Sequence, residues 1–197
     1  MESMVINTED YFMEKKIVAK TISCYEVPHM WEHGNERPGL CPICHNVVEQ
    51  IPNIEYKVRK TKNRDLVCTY DGFYIASQKF KDFCDENDYD DIIFVQFPKS
   101  PNYYFFLPNK IYHLDYVRMK TRFIGYHECC GLYDEVIGSK FYRSVTVESN
   151  IKDFICRSDY FFADFLNKSP IVIIGKDTLD KMIKYGLSGF YCGNVYE

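Results

Sequence analysis

Two cysteine-containing turns carry the most specific chemistry in the sequence. Cys41 and Cys44 are separated by two residues, with a proline opening the turn between them. Two thiols at this spacing can bind one side of a tetrahedral zinc ion, which then needs two further ligands. His127 and Cys130 have the same spacing, and Gly131 permits the tight turn that follows them. The predicted metal ligands are therefore Cys41, Cys44, His127 and Cys130.

This ligand set has alternatives. Cys129 is adjacent to Cys130 and could replace it, while His33, His45 and Cys24 are weaker substitutes. The cysteines could also be buried free thiols, since cysteine behaves as a small hydrophobe in protein cores. Four protein ligands would leave no open position for a substrate, so the predicted zinc is structural rather than catalytic.

Other reactive arrangements are less well supported. Residues 41–45 also have the spacing of c-type haem attachment, but that chemistry needs an exported protein, and residues 1–5 lack the features of a signal peptide. A nucleophilic pair of His127 with Cys129 or Cys130 is conceivable, yet no third group that would orient the histidine can be identified. Walker A, GxSxG, HExxH and GxGxxG motifs do not occur. We therefore expect a protein that is not an enzyme.

Length and composition indicate one globular domain spanning residues 1–197. The chain is 46% hydrophobic and 26% charged, which is enough apolar material for a core. Its formal net charge of -4 argues against a general nucleic-acid binder. Nine cysteines without a secretory signal predict reduced thiols in the cytoplasm, and no apolar run is long enough to span a membrane. The 17 Tyr and 15 Phe predict an aromatic-rich core, or alternatively an exposed Tyr-rich binding face.

A strand, short helix, strand pattern occurs twice. In the first unit, Ser77 is suited to cap a helix whose apolar face carries Phe80 and Phe83, and residues 92–97 form the next strand. The second unit has a helix over residues 176–185, with Leu179, Met182 and Ile183 expected on its apolar face. A β-branched stretch, residues 17–23, predicts a strand near the N-terminus. The expected fold is α+β, with a mixed or antiparallel sheet, short helices and a zinc-knuckle-like clasp formed by turns 41–45 and 127–131.

The order of these features resembles the double-CxxCG motif proteins and the related immunity proteins of bacterial polymorphic toxin systems. The resemblance rests on the two turns, the segment 73–80, the pair Asp164-Phe165, and the ending 186–190. It departs from the family pattern at His45, where glycine is usual, and at His127, where cysteine is usual. A Cys3His set still binds zinc. The resemblance implies a cytoplasmic, non-enzymatic protein that binds and neutralises a toxin.

A dense acidic stretch beside an aromatic residue suggests where such a partner would bind. An acidic surface could approach a basic active-site cleft and speed association by electrostatic steering. The alternative function is a zinc-ribbon-type nucleic-acid-binding protein that uses the basic run 57–64 with nearby aromatic residues; that run could equally be a solvated strand edge. The predicted partner-binding residues are Asp85, Glu86, Asp88, Tyr89, Asp90 and Asp91.

Overall fold

The computed structural model describes residues 16–33, 36–59, 61–147 and 150–197. These residues form an α+β fold with a mixed sheet and two short α-helices, as the sequence predicts. In chain order the elements are β1 (Ile17–Val27), β2 (Leu66–Thr69), β3 (Tyr74–Ser77), α1 (Gln78–Glu86), β4 (Ile92–Phe97), β5 (Ser100–Pro108), β6 (Ile111–Tyr112), β7 (Arg122–His127), β8 (Leu132–Ile137), β9 (Phe141–Tyr142), β10 (Ile155–Asp164), β11 (Ser169–Ile174), α2 (Lys176–Lys184) and β12 (Phe190–Tyr196).

Strand β1 joins the two halves of the sheet. Its first part is antiparallel to both β11 and β12, and its last three residues pair in parallel with β2. The main strand order is β4-β5-β3-β2-β1-β11-β10-β8-β7. β12 lies off this path against β1 and β9, and β6 pairs with β10. The hairpin β7–β8 therefore lies at one end of the strand order, and its loop contains the second turn.

The two strand-helix-strand units share one core. Ser77 caps α1, since its hydroxyl accepts a hydrogen bond from the Phe80 backbone N–H at 3.3 Å. Phe83 of α1 packs edge-on against Tyr185 at the end of α2, with ring centroids 5.3 Å apart. Met182 of α2 is buried in the same cluster. Because both helices cover one cluster, the sheet strands that carry them are held in a fixed relation.

Aromatic residues supply much of the interior. Fully buried phenylalanines include Phe73, Phe80, Phe97, Phe105 and Phe106. One expected apolar position is wrong, because Ile183 of α2 is 61% exposed. Thr178 is fully buried on that helix instead. Neither α1 nor α2, the helices of the described residues, is long and apolar enough to cross a membrane.

Candidate metal centre and acidic rim

The first turn is held by its own backbone. The Cys41 N–H donates to the Asn46 carbonyl at 2.8 Å, and the His45 N–H donates to the Cys41 carbonyl at 2.9 Å. His45 has φ 59, the left-handed conformation that glycine adopts most easily. This explains why a glycine would suit the position, and it shows that His45 accepts the same turn geometry. The turn directs the thiols of Cys41 and Cys44 toward the loop of the hairpin β7–β8.

The second turn has the same backbone form. The Gly131 N–H donates to the His127 carbonyl at 2.8 Å, which matches the bond from His45 to Cys41 in the first turn. Gly131 has φ 70, close to the value at His45. Its spacing from His127 is four residues, as in the first turn. The structure therefore pairs two turns of equal shape, one before β2 and one between β7 and β8.

Four cysteines from these turns meet at one point. The Cys41 and Cys129 sulfur atoms are 3.7 Å apart, and those of Cys44 and Cys130 are 3.6 Å apart. All four sulfur atoms lie within 4.8 Å of one another. A zinc ion with Zn–S bonds of about 2.3 Å would set tetrahedral sulfur ligands about 3.8 Å apart. The cluster has the dimensions and the donor atoms of a tetrathiolate metal site, which we call the clasp.

Residue His127 does not join this group. Its Nε2 lies 2.7 Å from Oδ1 of Asp134 on the neighbouring strand β8. Asp134 can reach it because Gly125, opposite on β7, has no side chain: a Cβ there would meet the Asp134 carboxylate at 2.1 Å. Among the described residues, the structure groups Cys41, Cys44, Cys129 and Cys130, and the sequence-based set with His127 stays a prediction. Cys129, considered only as a substitute for Cys130, stands beside it as the fourth member.

The thiols of the clasp are unequal. Backbone N–H groups of Cys44 and Ile43 point at the Cys41 sulfur and lower its pKa to about 7, assisted by the thiols of Cys44 and Cys129. The pKa of Cys129 is raised to about 12, first by its bond to Cys44 and then by burial and Cys41. The Cys41 thiolate forms readily, whereas ionisation of Cys129 is opposed by its neighbours. A cation that neutralises the cluster would displace the remaining protons, so metal affinity should rise with pH.

A buried lysine lies next to the clasp. The Lys168 side chain is 2% exposed, and its Nζ donates to Asn46 Oδ1 and to the Tyr133 carbonyl, the latter at 2.5 Å. Asn46 precedes Val47, which pairs with Leu40 across the first turn, and its Nδ2 also donates to the Tyr133 carbonyl at 2.9 Å. Burial lowers the Lys168 pKa, while negative charge at Asp134, Cys130 and Cys44 opposes that shift. Lys168 thus fastens the first turn to β8 and adds positive charge near the thiols.

The predicted partner-binding residues lie at the end of α1 and in the loop before β4, and we call them the acidic rim. Asp85, Glu86, Asp88, Asp90 and Asp91 are all exposed. Two of them have internal partners. Asp85 forms an ion pair with Lys81 at 2.6 Å, and Glu86 accepts a hydrogen bond from the Tyr185 hydroxyl at 3.0 Å.

The sixth rim residue, Tyr89, points inward. Its hydroxyl donates to Asp153, and Thr178 Oγ1 lies 3.4 Å away. Thr178 also donates to Asp153 at 2.8 Å, and Lys181 forms an ion pair with the same carboxylate at 2.6 Å. Burial and then Asp153 raise the Tyr89 pKa, so the phenol stays protonated. We call this group, Tyr89, Asp153, Thr178 and Lys181, the Tyr89 network; it anchors the rim to α2.

The basic run has a different setting. The Arg64 guanidinium lies 3.5 Å above the Tyr25 ring, and Tyr25 contacts Tyr191 with centroids 4.7 Å apart. Tyr25 is 38% exposed and Tyr191 52% exposed. Lys60, in the middle of the run, lies outside the described residues. An arginine and two tyrosines thus share an exposed face of β1 and β12.

Comparisons with known proteins do not place the chain in a family. A scan against protein-family models found no match, and a search of the curated proteins also found none.

Proposed function

We propose that the protein is an immunity protein that binds a cognate bacterial toxin and neutralises it by forming a stoichiometric complex in the cytoplasm. The observation that carries this proposal is that three carboxylates of the acidic rim are exposed and unpaired. Asp88, Asp90 and Asp91 are exposed and, among the described residues, have no ion-pair partner. They border a cleft of about 250 Å³ that is also lined by Lys110, Phe154 and Ile155. Unpaired carboxylates on a fixed support suit a basic partner.

The support for the rim comes from the core. Tyr89 connects the rim to α2 through Asp153 and Thr178, so the loop does not have to become ordered when a partner binds. Preorganisation of this kind lowers the entropy cost of association. Exposed like charges also raise the rate at which an oppositely charged surface is captured. The rim therefore has the properties that a fast inhibitor of a basic cleft needs.

The motifs that carry the family resemblance serve as framework in this fold. The two turns form the clasp, and Ser77 starts α1. In the ending 186–190, the Ser188 carbonyl accepts from the Leu66 N–H at 3.1 Å, while Ser188 donates to Asp65. A Cβ at Gly189 would meet the Leu66 carbonyl at 2.2 Å, so this close approach requires glycine. A framework built from the motifs that resemble those of immunity proteins, together with a separate exposed rim, supports the proposed binding role.

We assign zinc as the metal of the clasp and a structural role to it. Cys41, Cys44, Cys129 and Cys130 would hold it, and four thiolates are the donor set of closed structural zinc sites. Zinc there would tie the segment before β2 to the β7–β8 loop. Elemental analysis of the purified protein tests this assignment: one equivalent of zinc is expected, and less than about half an equivalent would contradict it.

The toxin assignment is tested with the product of the adjacent gene. The two proteins should co-purify, and calorimetry should give one-to-one binding. The variant Asp88→Lys/Asp90→Lys/Asp91→Lys should reduce the association rate and flatten its dependence on salt. A matched control, Glu32→Lys/Glu49→Lys/Asp164→Lys, changes the net charge equally at other exposed positions. Equal toxin binding by both variants would exclude the acidic rim as the toxin-binding surface. Absence of any complex between the two proteins would exclude the immunity function.

Nucleic-acid binding is a second candidate, favoured by one observation. Arg64 and Tyr191 flank Tyr25 on an exposed sheet face, and stacked bases bind to such aromatic and guanidinium surfaces. A salt-dependent gel shift with single-stranded DNA or RNA tests this role. Loss of the shift in Tyr191→Ala, with the shift retained in the exposed-tyrosine control Tyr126→Ala, would support it. No shift at low salt would exclude it.

A further inference from the structure

Strand β4 forms one end of the main strand order, and β7 forms the other. Within the described part of the chain, β4 pairs with β5 alone, so one of its edges has no strand beside it. The pairing with β5 is regular from Ile92 to Gln96, and the register shifts only after Gln96. β4 is therefore a regular edge strand with one open side.

The register decides which backbone groups of β4 face this open side. The Asn109 N–H donates to the Asp91 carbonyl at 3.0 Å. Because hydrogen-bonded and non-hydrogen-bonded pairs alternate along an antiparallel ladder, the next residue of β4 that bonds to β5 is Ile93. Ile92 and Phe94 lie in the alternate pairs, so their N–H and carbonyl groups point away from β5. Among the described residues, no backbone bond outside the ladder uses these groups either.

The two edge strands of the sheet differ in how they discourage further pairing. β7 contains Gly125 in a left-handed conformation, φ 68, and begins at the exposed Arg122. An interrupted extended backbone and a charged side chain both oppose the addition of a strand. Residues 92–97 of β4 include no glycine, proline or charged residue, and Ile93 is 40% exposed. An apolar, regular edge of this kind is a template for an added strand.

The charge beside the open edge indicates which segment fits it. Asp90 and Asp91 directly precede β4, and among the described residues neither has an ion-pair partner. A strand added to β4 passes these carboxylates at one end, where a lysine or arginine would be attracted and an acidic residue repelled. In a symmetric pair of β4 strands the cation available for this place is Lys99, which already pairs with Glu55 at 2.9 Å. The complementary segment therefore belongs to a basic partner rather than to a second copy.

We propose that the toxin docks by adding an extended segment to the open edge of β4, with a lysine or arginine of that segment against Asp90 and Asp91. This docking mode rests on the proposed function, and it specifies which part of the toxin meets the acidic rim. Backbone bonds to Ile92 and Phe94 supply affinity, and the basic side chain fixes which end of the segment lies at the rim. Phe94 also packs against Phe80 of α1, with ring centroids 6.4 Å apart, so the edge is ordered before the toxin arrives.

Amide hydrogen exchange tests this docking mode on the full-length protein, with and without the product of the adjacent gene. In the free protein the amides of Ile92 and Phe94 should exchange quickly, while that of Ile93, bonded to β5, should exchange slowly. In the complex, exchange at Ile92 and Phe94 should slow by about tenfold or more, and Ile93 serves as the internal control. A complex in which Ile92 and Phe94 exchange as in the free protein would overturn the proposal and leave the immunity function standing.

Other occupants of the edge give different exchange patterns. Slow exchange at Ile92 and Phe94 in the free protein at every concentration would show that another part of this chain covers β4. Slow exchange that appears only at high protein concentration would show that a second copy covers it. Either result overturns the proposal, and the absence of any complex with the toxin overturns the proposed function as well.

A matched pair of variants tests the backbone contact. Ile92→Pro removes one N–H of the open side, at the first residue of an edge strand, where proline is tolerated. Ile92→Ala removes the same side chain and keeps the N–H. The toxin affinity of Ile92→Pro should be about tenfold weaker than that of Ile92→Ala, and thermal unfolding checks that both variants are folded. Equal affinities of the two folded variants would overturn the proposal.

Discussion

The clasp and the Tyr89 network both tie together segments that are distant in sequence, but they use different chemistry. The clasp joins sulfur pairs 86 and 88 residues apart, and the network joins Tyr89 to groups 64 and 89 residues away. Thiols are weak hydrogen-bond donors and acceptors, and the clasp thiols contact one another and nearby backbone N–H groups. In the Tyr89 network, the hydroxyls of Tyr89 and Thr178 and the Lys181 ammonium group all donate to the Asp153 carboxylate. In the proposed zinc-bound state a cation holds the clasp, whereas the network is complete without one.

Under the proposed function, this difference separates stability from recognition. A site closed by four cysteines fixes its surroundings and presents little to a partner. The network instead holds a charged loop in place from beneath and leaves its outer carboxylates free for contact. Changes at the clasp should act on folding and metal content. Changes at the network should act locally, near the rim and α2.

The largest expected effect comes from breaking the clasp. Removing zinc with a chelator, or replacing Cys44→Ser, should lower the free energy of unfolding by on the order of 4 kcal/mol, because metal binding is coupled to folding. Denaturant unfolding measures the effect. Cys192→Ser, an exposed thiol outside the clasp, is the control and should change little.

The zinc content of two single variants identifies the fourth ligand. Cys129→Ser should reduce the bound zinc, while His127→Ala should retain a full equivalent, since His127 is bonded to Asp134 rather than to the cluster. Zinc loss in His127→Ala with retention in Cys129→Ser would return the assignment to three cysteines and one histidine. Elemental analysis of the two variants side by side gives the answer.

The second-largest effect is a loss of zinc affinity when the positive charge of Lys168 near the clasp is removed. Four thiolates around a divalent cation leave two negative charges, and the buried ammonium group offsets part of them. Lys168→Met should weaken zinc affinity about 10- to 100-fold, the usual effect of removing a group that supports metal ligands. Competition with a zinc chelator measures it. Lys140→Met, at an exposed lysine, should leave the affinity unchanged, and equal affinities of the two variants would remove Lys168 from this role.

Local patterns in the sequence predict the helices and the first turn well. Ser77 with Phe80 and Phe83 at helical spacing specifies α1, and the CxxC spacing specifies a turn. The pattern fails at α2, where Thr178 rather than Ile183 is buried. The reason is a tertiary one: Thr178 accepts a hydrogen bond from the Phe154 N–H at 2.8 Å, so a polar residue fills the buried position. Periodicity cannot anticipate a partner from another strand.

The fourth clasp residue was only partly predictable. Two adjacent cysteines, Cys129 and Cys130, were a visible signal. The choice between Cys129 and His127 depends on strand pairing, because His127 ends β7 opposite Leu132 and its ring meets Asp134. Equally, the approach of turn 41–45 to this hairpin follows from the arrangement of the whole sheet. Spacing indicates which residues can bind a metal, and the sheet decides which of them meet.

A smaller loss of stability is expected when Thr178, the buried residue of the Tyr89 network, is replaced. Thr178→Val keeps the side-chain shape but leaves the Phe154 N–H without its acceptor, which should cost about 1–3 kcal/mol in the free energy of unfolding. Zinc content should stay at one equivalent, unlike in the clasp variants. Thr146→Val, at an exposed position, is the control. A loss of zinc in Thr178→Val would show that the two regions are coupled and would break the contrast drawn between them.

The smallest effect comes from the charge of the network. Burial tends to raise the Asp153 pKa, but bonds from Lys181, Tyr89 and Thr178 outweigh it and lower the pKa below 3.8. A depressed carboxylate pKa contributes stability above the unfolded value, and that contribution is lost as the pH falls through the folded pKa. Asp153 is partly exposed to solvent, so Asp153→Asn should cost only about 0.5–1 kcal/mol at pH 7. The difference in the free energy of unfolding between this variant and the wild type should narrow at acid pH. If this difference were constant from neutral to acid pH, the charge of Asp153 would make no contribution to stability.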